Sequence, residues 1–313
     1  MRTISASIVL LSFASFAHAQ SSKNGFEIRT LSTRPDLVSG GDVLAQVTVP
    51  ATLAAGKLSA SVAGRDVSGA FKLTGHPNTL VGLVTDLPVG RSEIEAGAKG
   101  QKPAVVLAVT SHPISGPVMG GPHQSPFICE TQAFGFGPPL DADCSVATRV
   151  EYFYRSNAAR PGPDNIAVQP GADVPQAQQQ QPNPFKPYNP NGPKPADLAM
   201  TTTLDGKTVP YIVRREMGTI NRAVYAIAFL HEPGAPLPTP WAQAASAWNG
   251  RLIYSFGPGC QAGYHQGRNL GGLAGNRSFL EETQFGDYGI AKGYALASSS
   301  LNAFGTNCAD VIS

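Results

Sequence analysis

The sequence predicts a mixed fold, an N-terminal all-β sandwich followed by the opening half of an α/β sheet. Three observations carry this. Residues 26–110 hold seven short runs of alternating apolar and polar residues, each closed by a turn signal. Beyond Met200, two alternating runs are followed by two nearly continuous apolar ones, RLIYSFG and GYALASSSLN, as in interior strands covered on both faces. With 34 Gly and 27 Pro in 313 residues, turns and long loops are favoured over helical bundles.

The first element is a leader. MRTISASIVLLSFASFAHAQ has Arg2 as a short positive region, an apolar core from Ile8 to Phe16, and Ala17-His18-Ala19 as an A-x-A cleavage site before Gln20. That core falls far short of the roughly 20 residues of a membrane span. Residues 1–19 are therefore expected to be a signal peptide cleaved at Ala19-Gln20, with the mature chain exported to the periplasm or medium. No later segment is long and apolar enough to span a bilayer.

Residues 20–110 follow as the sandwich. FEIRTLS, DVLAQVTVP, KLSASVAG, GAFKL, TLVGLVTDL, SEIEAG and AVVLAVTS read as strands. Ser39-Gly40-Gly41-Asp42, Gly64-Arg65-Asp66 and Leu87-Pro88-Val89-Gly90 separate them. Seven strands at this spacing predict an immunoglobulin-like or fibronectin-like sandwich, although no Cys…Trp…Cys signature marks a particular family.

Residues 111–200 read as a Gly/Pro-rich connector with a short strand at Thr148 to Arg155. The polar tract within it, including the Gln/Pro-rich residues 169–195, cannot bury a core and reads as a solvent-exposed insertion or a lid. Order returns over residues 201–313. TTTLDGKTVPYIVRREMG and TINRAVYAIAFLHEP read as two strands turning at Met217-Gly218-Thr219. Short helices are expected at AQAASAWN and from Ser278 to Thr283.

The four cysteines suit an oxidising compartment and allow three pairings. The economical one is Cys129–Cys144 with Cys260–Cys308. Its loops would stabilise by about 3 and about 4 kcal/mol in the chain-entropy model. No C-x-x-C occurs, which weighs against metal-bound thiols. His112, His123, Asp141 and Asp143 crowd around the first pair, but His-Pro and Pro-His in a turn-rich stretch read as hydrogen-bonded structure, and no metal is predicted. A net charge of +2 with 14% charged residues gives neither a nucleic-acid stripe nor a lipid-binding patch.

An antiparallel pair followed by strand, loop, helix and strand matches the opening of an α/β-hydrolase-like sheet. There the loop after the third strand donates backbone N–H groups to an oxyanion. RLIYSFG would be that strand, with Gly257, Gly259 and Cys260 as oxyanion-loop candidates. Glycines allow close approach to a substrate oxygen, and a disulfide at Cys260 would hold the donors still. The bland alternative is a Gly-Pro-Gly turn fixed by a structural disulfide. His265, just beyond, could touch substrate. His231 reads as structural. No G-x-S-x-G occurs: Ser255 has Gly257 two after it but Ile253 two before, and Ser299 is flanked by Ala297 and Leu301, so no catalytic residue is identifiable. Asn276-Arg277-Ser278 is a glycosylation sequon that matters only in a eukaryotic export pathway.

Residues 111–131 (SHPISGPVMGGPHQSPFICET), 209–230 (VPYIVRREMGTINRAVYAIAFL), 248–267 (WNGRLIYSFGPGCQAGYHQG) and 293–308 (GYALASSSLNAFGTNC) resemble the DUF6351 family of exported bacterial proteins. The resemblance runs from about Phe26 to the last residue. It implies an esterase-like, tannase-like α/β-hydrolase half, a small-molecule or polymeric ester substrate, and no cofactor. Family members continue past the equivalent of Cys308 into a Gly-x-Ser-Gly-Gly turn. The chain is therefore expected to represent the N-terminal portion only, truncated before the nucleophile and not catalytic alone. Two alternatives stand beside this: a β-sandwich binding module for a polymer or cell-surface glycan, and a degenerate truncated gene product.

Overall fold

The computed structural model describes residues 20–21, 24–119, 122–123, 125–157, 185–241, 247–254, 265–266 and 286–300. The chain divides into two compact units, residues 1–112 and 113–313.

In the first unit the strands are Gln20–Ser21 (β1), Glu27–Thr30 (β2), Val38–Ser39 (β3), Val43–Thr48 (β4), Leu58–Val62 (β5), Arg65–Asp66 (β6), Phe71–Leu73 (β7), Thr79–Val84 (β8), Gly90–Ala98 (β9) and Val105–His112 (β10). They form two five-stranded sheets, ordered β1-β2-β4-β8-β7 and β3-β10-β9-β5-β6. The period-2 pattern explains why each sheet has one inward face. Val43, Ala45 and Val47 of β4 are buried and their neighbours less so, and β5 repeats this with Leu58, Ala60 and Val62. Ile94, Leu107 and Val109 meet Ile28 and Val43 in one core shared by the two sheets. Burying each such side chain contributes about 2 kcal/mol. The three two-residue strands β1, β3 and β6 are additions to the seven runs, too short to show a period in the sequence.

The second unit is built on Arg149–Arg155 (β11), Phe185–Pro187 (β12), Met200–Thr202 (β13), Thr208–Pro210 (β14), Ile212–Ile220 (β15), Ala223–Leu230 (β16), Leu252–Tyr254 (β17) and Ala295–Ser299 (β18), with a helix at Gly286–Ala291 (α1). Its main sheet has the order β12-β11-β15-β16-β18-β17. All neighbours are antiparallel except β17 and β18, which run parallel. One face buries Val213, Ala228, Leu230 and Leu296 beneath Ile290 of α1. Further along, Met217, Val224 and Ala226 lie beneath Phe134 and Phe136.

Two boundaries differ from the sequence reading. TTTLDGKTVPYIVRREMG is not one strand. Its first half is a separate hairpin, β13–β14, that turns through Gly206 at a φ of 76°. The β15–β16 turn is not at Met217-Gly218-Thr219. β15 continues to Ile220, and the reversal is made by Asn221 and Arg222 with φ of 49° and 61°. Two left-handed residues are what a two-residue turn between twisted strands requires, and Asn tolerates that region. Gly218 is a strand glycine. A Cβ there would lie 2.9 Å from the ring of Tyr225 on β16, so its small size makes room for that side chain.

Candidate functional site

The end of the second sheet at which the parallel strands β17 and β18 finish is also where β15 turns into β16. In sheets with parallel strands, ligand sites form outside the carboxyl ends. Here that rim is capped by the Gly/Pro-rich stretch before β11. Asn221 donates its backbone N–H to the Ile114 carbonyl at 2.8 Å, and its Oδ1 lies 3.2 Å from His123 Nε2. Arg222, buried at 5% exposure, places its guanidinium 3.9 Å from the centroid of the Phe127 ring. The Val146 N–H donates to Thr219 Oγ1 at 3.0 Å.

Within the cap, Cys129 and Cys144 form a disulfide with a Cα–Cα distance of 5.3 Å. Gln266 sits against it at 0% exposure and is bonded at every polar group. Its Oε1 accepts from the Glu130 N–H at 2.9 Å, and its Nε2 donates to the Cys144 carbonyl at 3.1 Å. Its backbone N–H donates to the Ile128 carbonyl at 2.9 Å. Its carbonyl accepts from the hydroxyl of Ser300, whose Oγ also accepts the Val224 N–H at 2.9 Å. A buried amide satisfied in this way ties the disulfide segment to the end of β18.

His265 is thereby carried to the rim. It makes an isolated parallel bridge with Ile128, and its Nδ1 lies 3.1 Å from Glu130 Oε2. The two side chains are 26% and 12% exposed. A carboxylate only accepts, so Nδ1 carries the proton in this pair. Glu130 and Gln266 gave no signal in the sequence. Glu130 lies 135 residues from His265 and 136 from Gln266, and neither Glu130 nor Gln266 belongs to a motif.

Several residues singled out in the sequence do not join this site. Gly257, Gly259, Cys260 and Cys308 lie outside the described residues, as do Ala19, Asn276 and the helix expected at Ser278 to Thr283. His112 ends β10 in the first unit, with Nε2 3.0 Å from the Asp36 carbonyl. Asp141 closes its own turn by accepting the N–H groups of Ser145 and Asp143, and the bond from Ser145 foremost holds its carboxyl below the usual range. His123 Nδ1 stands 3.9 Å from Asp143. Among the described residues no three His, Cys, Asp or Glu side chains are grouped to hold a metal ion. His231, at the end of β16, packs against the rings of Tyr152 and Phe229 and has Nε2 3.1 Å from the Ala235 carbonyl. Burial pushes its pKa down. On the same face of the sheet, Glu216 accepts from Arg214 and from the Tyr225 hydroxyl. Asp197 accepts from Tyr154, Ser156 and Lys186, and the Lys186 ammonium foremost holds its carboxyl well below the usual range. Both networks bond structural side chains to each other. No helix among the described residues is long and apolar enough to cross a membrane.

None of the curated proteins compared with this chain matches it. A family model does, over residues 28–313. The chain belongs to the tannase-like family of unknown function DUF6351.

Proposed function

We propose that this chain builds the scaffold and rim of an exported site that binds carboxylic esters. Membership of a tannase-like family supports an ester-directed reading. The observation that carries it is the strand order at the rim. The hairpin β15–β16 is followed in space by β18 and then by β17, so the chain visits the far position first and returns between. That order supports reading the sheet as the opening of an α/β-hydrolase-like one, with β17 as the strand that would precede the oxyanion loop. In this reading Gly257, Gly259 and Cys260 offer backbone N–H groups to the ester oxygen, a Cys260–Cys308 disulfide steadies them, and His265 meets the substrate.

Residues 1–19 are a signal peptide cut at Ala19-Gln20, and residues 20–110 an immunoglobulin-like sandwich. The mature protein acts in the periplasm or outside the cell. The 313 residues contain no G-x-S-x-G, so serine-based acyl transfer is not assigned to this chain. The rival reading, a glycan-binding sandwich, has less behind it. Sugar rings stack on exposed aromatic faces, and the two aromatic side chains between Asn24 and His112, Phe26 and Phe71, are both in the core.

The test is an NMR titration of the labelled full chain with phenyl acetate, beside its ketone isostere phenylacetone. The ester is expected to move the amide signals of His265 and Gln266 more than the ketone does. No movement at either amide would overturn the reading. Covalent labelling of a serine by a fluorophosphonate probe would overturn the absence of a nucleophile.

A further inference from the structure

We infer that His231 and the turn it closes, residues 231–235, form a proton-released latch just past β16: the neutral imidazole fastens the turn, and the imidazolium lets it go. The latch belongs to the second unit alone and does not depend on the ester-binding reading.

The ring is held by one bond at each nitrogen. A carbonyl only accepts, so Nε2 carries the proton that it donates to the Ala235 carbonyl at 3.1 Å. Nδ1 is then the accepting nitrogen, and the Tyr152 hydroxyl donates to it at 3.4 Å. The Phe229 ring packs edge-on, with 5.8 Å between centroids. His231 is 6% exposed, and it is the one buried residue between 231 and 237. Two other interactions hold the turn. The Ala235 N–H donates to the Glu232 carbonyl at 3.1 Å, and Glu232 pairs with Lys194. Both side chains of that pair are about half exposed, so it contributes little. The imidazole is the main anchor.

A second proton on this ring is poorly accommodated. It would turn Nδ1 from acceptor to donor. The Tyr152 hydroxyl can rotate to accept, but it brings no counter-charge. The other charged groups around the ring are Arg214 on β15, which stands opposite both Tyr152 and Phe229, and Glu232 beside it in the chain. Arg214 adds like charge. The carboxylates on these elements are already engaged: Glu216 by Arg214 and Tyr225, Glu151 by Arg215, and Glu232 by Lys194. A buried imidazolium without a counter-ion is less stable than one in water, so the charged ring leaves and both of its bonds are lost. Burial foremost, with the Arg214 charge, holds the pKa of the closed ring below 6.5. The open turn takes up a proton at the ordinary value. Opening is therefore favoured as the pH falls below 6.5, by up to about tenfold for each pH unit.

Hydrogen exchange of the full chain tests this, read by NMR as protection factors so that the intrinsic effect of pH is divided out. The amides followed are those of His231, bonded to the Ile212 carbonyl, and of Ala235. Both are expected to lose protection several-fold between a pH unit above 6.5 and a pH unit below it. Val224, at the opposite end of β16 and bonded to Ser300 Oγ, is expected to keep its protection. Unchanged protection at His231 and Ala235 would overturn the latch, and so would an equal loss at Val224, which is global unfolding. His231→Gln retains an N–H donor for the Ala235 carbonyl but does not titrate, and its Ala235 protection is expected to be the same at both pH values. A fall as large as in wild type would assign the effect to another group and overturn the proposal. Nitrogen-15 NMR of the wild-type ring needs no variant. The Nε2–H form is expected above 6.5, and the Nδ1–H form would overturn the latch.

Discussion

Gln266 donates its side-chain amide to the carbonyl of Cys144 at 3.1 Å, so the residue beside His265 is fastened directly to the disulfide segment. The same amide accepts from the N–H next to Cys129. The clamp and the disulfide thus hold the same two ends of chain.

Gln266→Ala would remove the amide that bonds the part-buried Glu130 N–H and the buried Cys144 carbonyl. Each lost partner costs about 1–3 kcal/mol, so a destabilisation of about 3 kcal/mol is expected. Urea denaturation of wild type and variant measures it. A change under 1 kcal/mol would mean that the amide is replaced by water at no cost.

Reduction of Cys129–Cys144 should act on the same region. The sequence separation is 15, for which loop closure is worth about 3 kcal/mol. The second unit is expected to melt earlier in reductant. The Gln266 amide proton, bonded to the Ile128 carbonyl, should exchange faster before global unfolding begins. Hydrogen exchange with mass spectrometry reads both effects, with the Cys129→Ser, Cys144→Ser chain as a control.

His231 sets a pH dependence whose sign follows from its burial. Desolvation holds its folded pKa below the ordinary value of 6.5, so the unfolded chain binds a proton more readily than the folded one. Stability is therefore fully present above 6.5 and falls as the pH drops from there toward the lowered folded value. His231→Gln should flatten that fall as the pH is lowered through 6.5. Thermal melts across this range test it, and parallel curves for both proteins would contradict it.

Gly218→Val should be poorly tolerated although it lies in a strand, where valine is ordinarily favoured. The added Cβ meets the Tyr225 ring at 2.9 Å and Thr148 Oγ1 at 3.1 Å, so the ring must move out of its bond to Glu216. Overpacking of this kind costs about 1–3 kcal/mol. Gly218→Val combined with Tyr225→Ala should recover part of the loss, which a double-mutant cycle would show.

The first unit was legible because its period is strict. Residues such as Val43, Ala45 and Val47 alternate without interruption, and Gly-rich turns close each run. In the second unit the two apolar runs were legible as strands and contain β17 and β18. Turn chemistry was not, since Gly218 advertised a turn it does not make, whereas Asn221-Arg222 lacks the glycine that usually marks one. The rim itself was mostly hidden. Cys129 and Cys144 are close in sequence and chemically conspicuous. By contrast, Glu130 and His265 lie 135 residues apart, and a buried glutamine has no sequence pattern that separates it from a surface one. Such contacts arise only once the cap is laid across the sheet end.

Three of the four bonds that secure Gln266 end on main-chain atoms, those of Ile128, Glu130 and Cys144. Anchorage of this sort does not consult the identity of the side chains around it. Surrounding positions can therefore drift, and with them the shape offered to whatever molecule arrives, while position 266 is confined to a residue of one length and one pattern of donors and acceptors. Variation in what is recognised is in this way uncoupled from the security of the mounting.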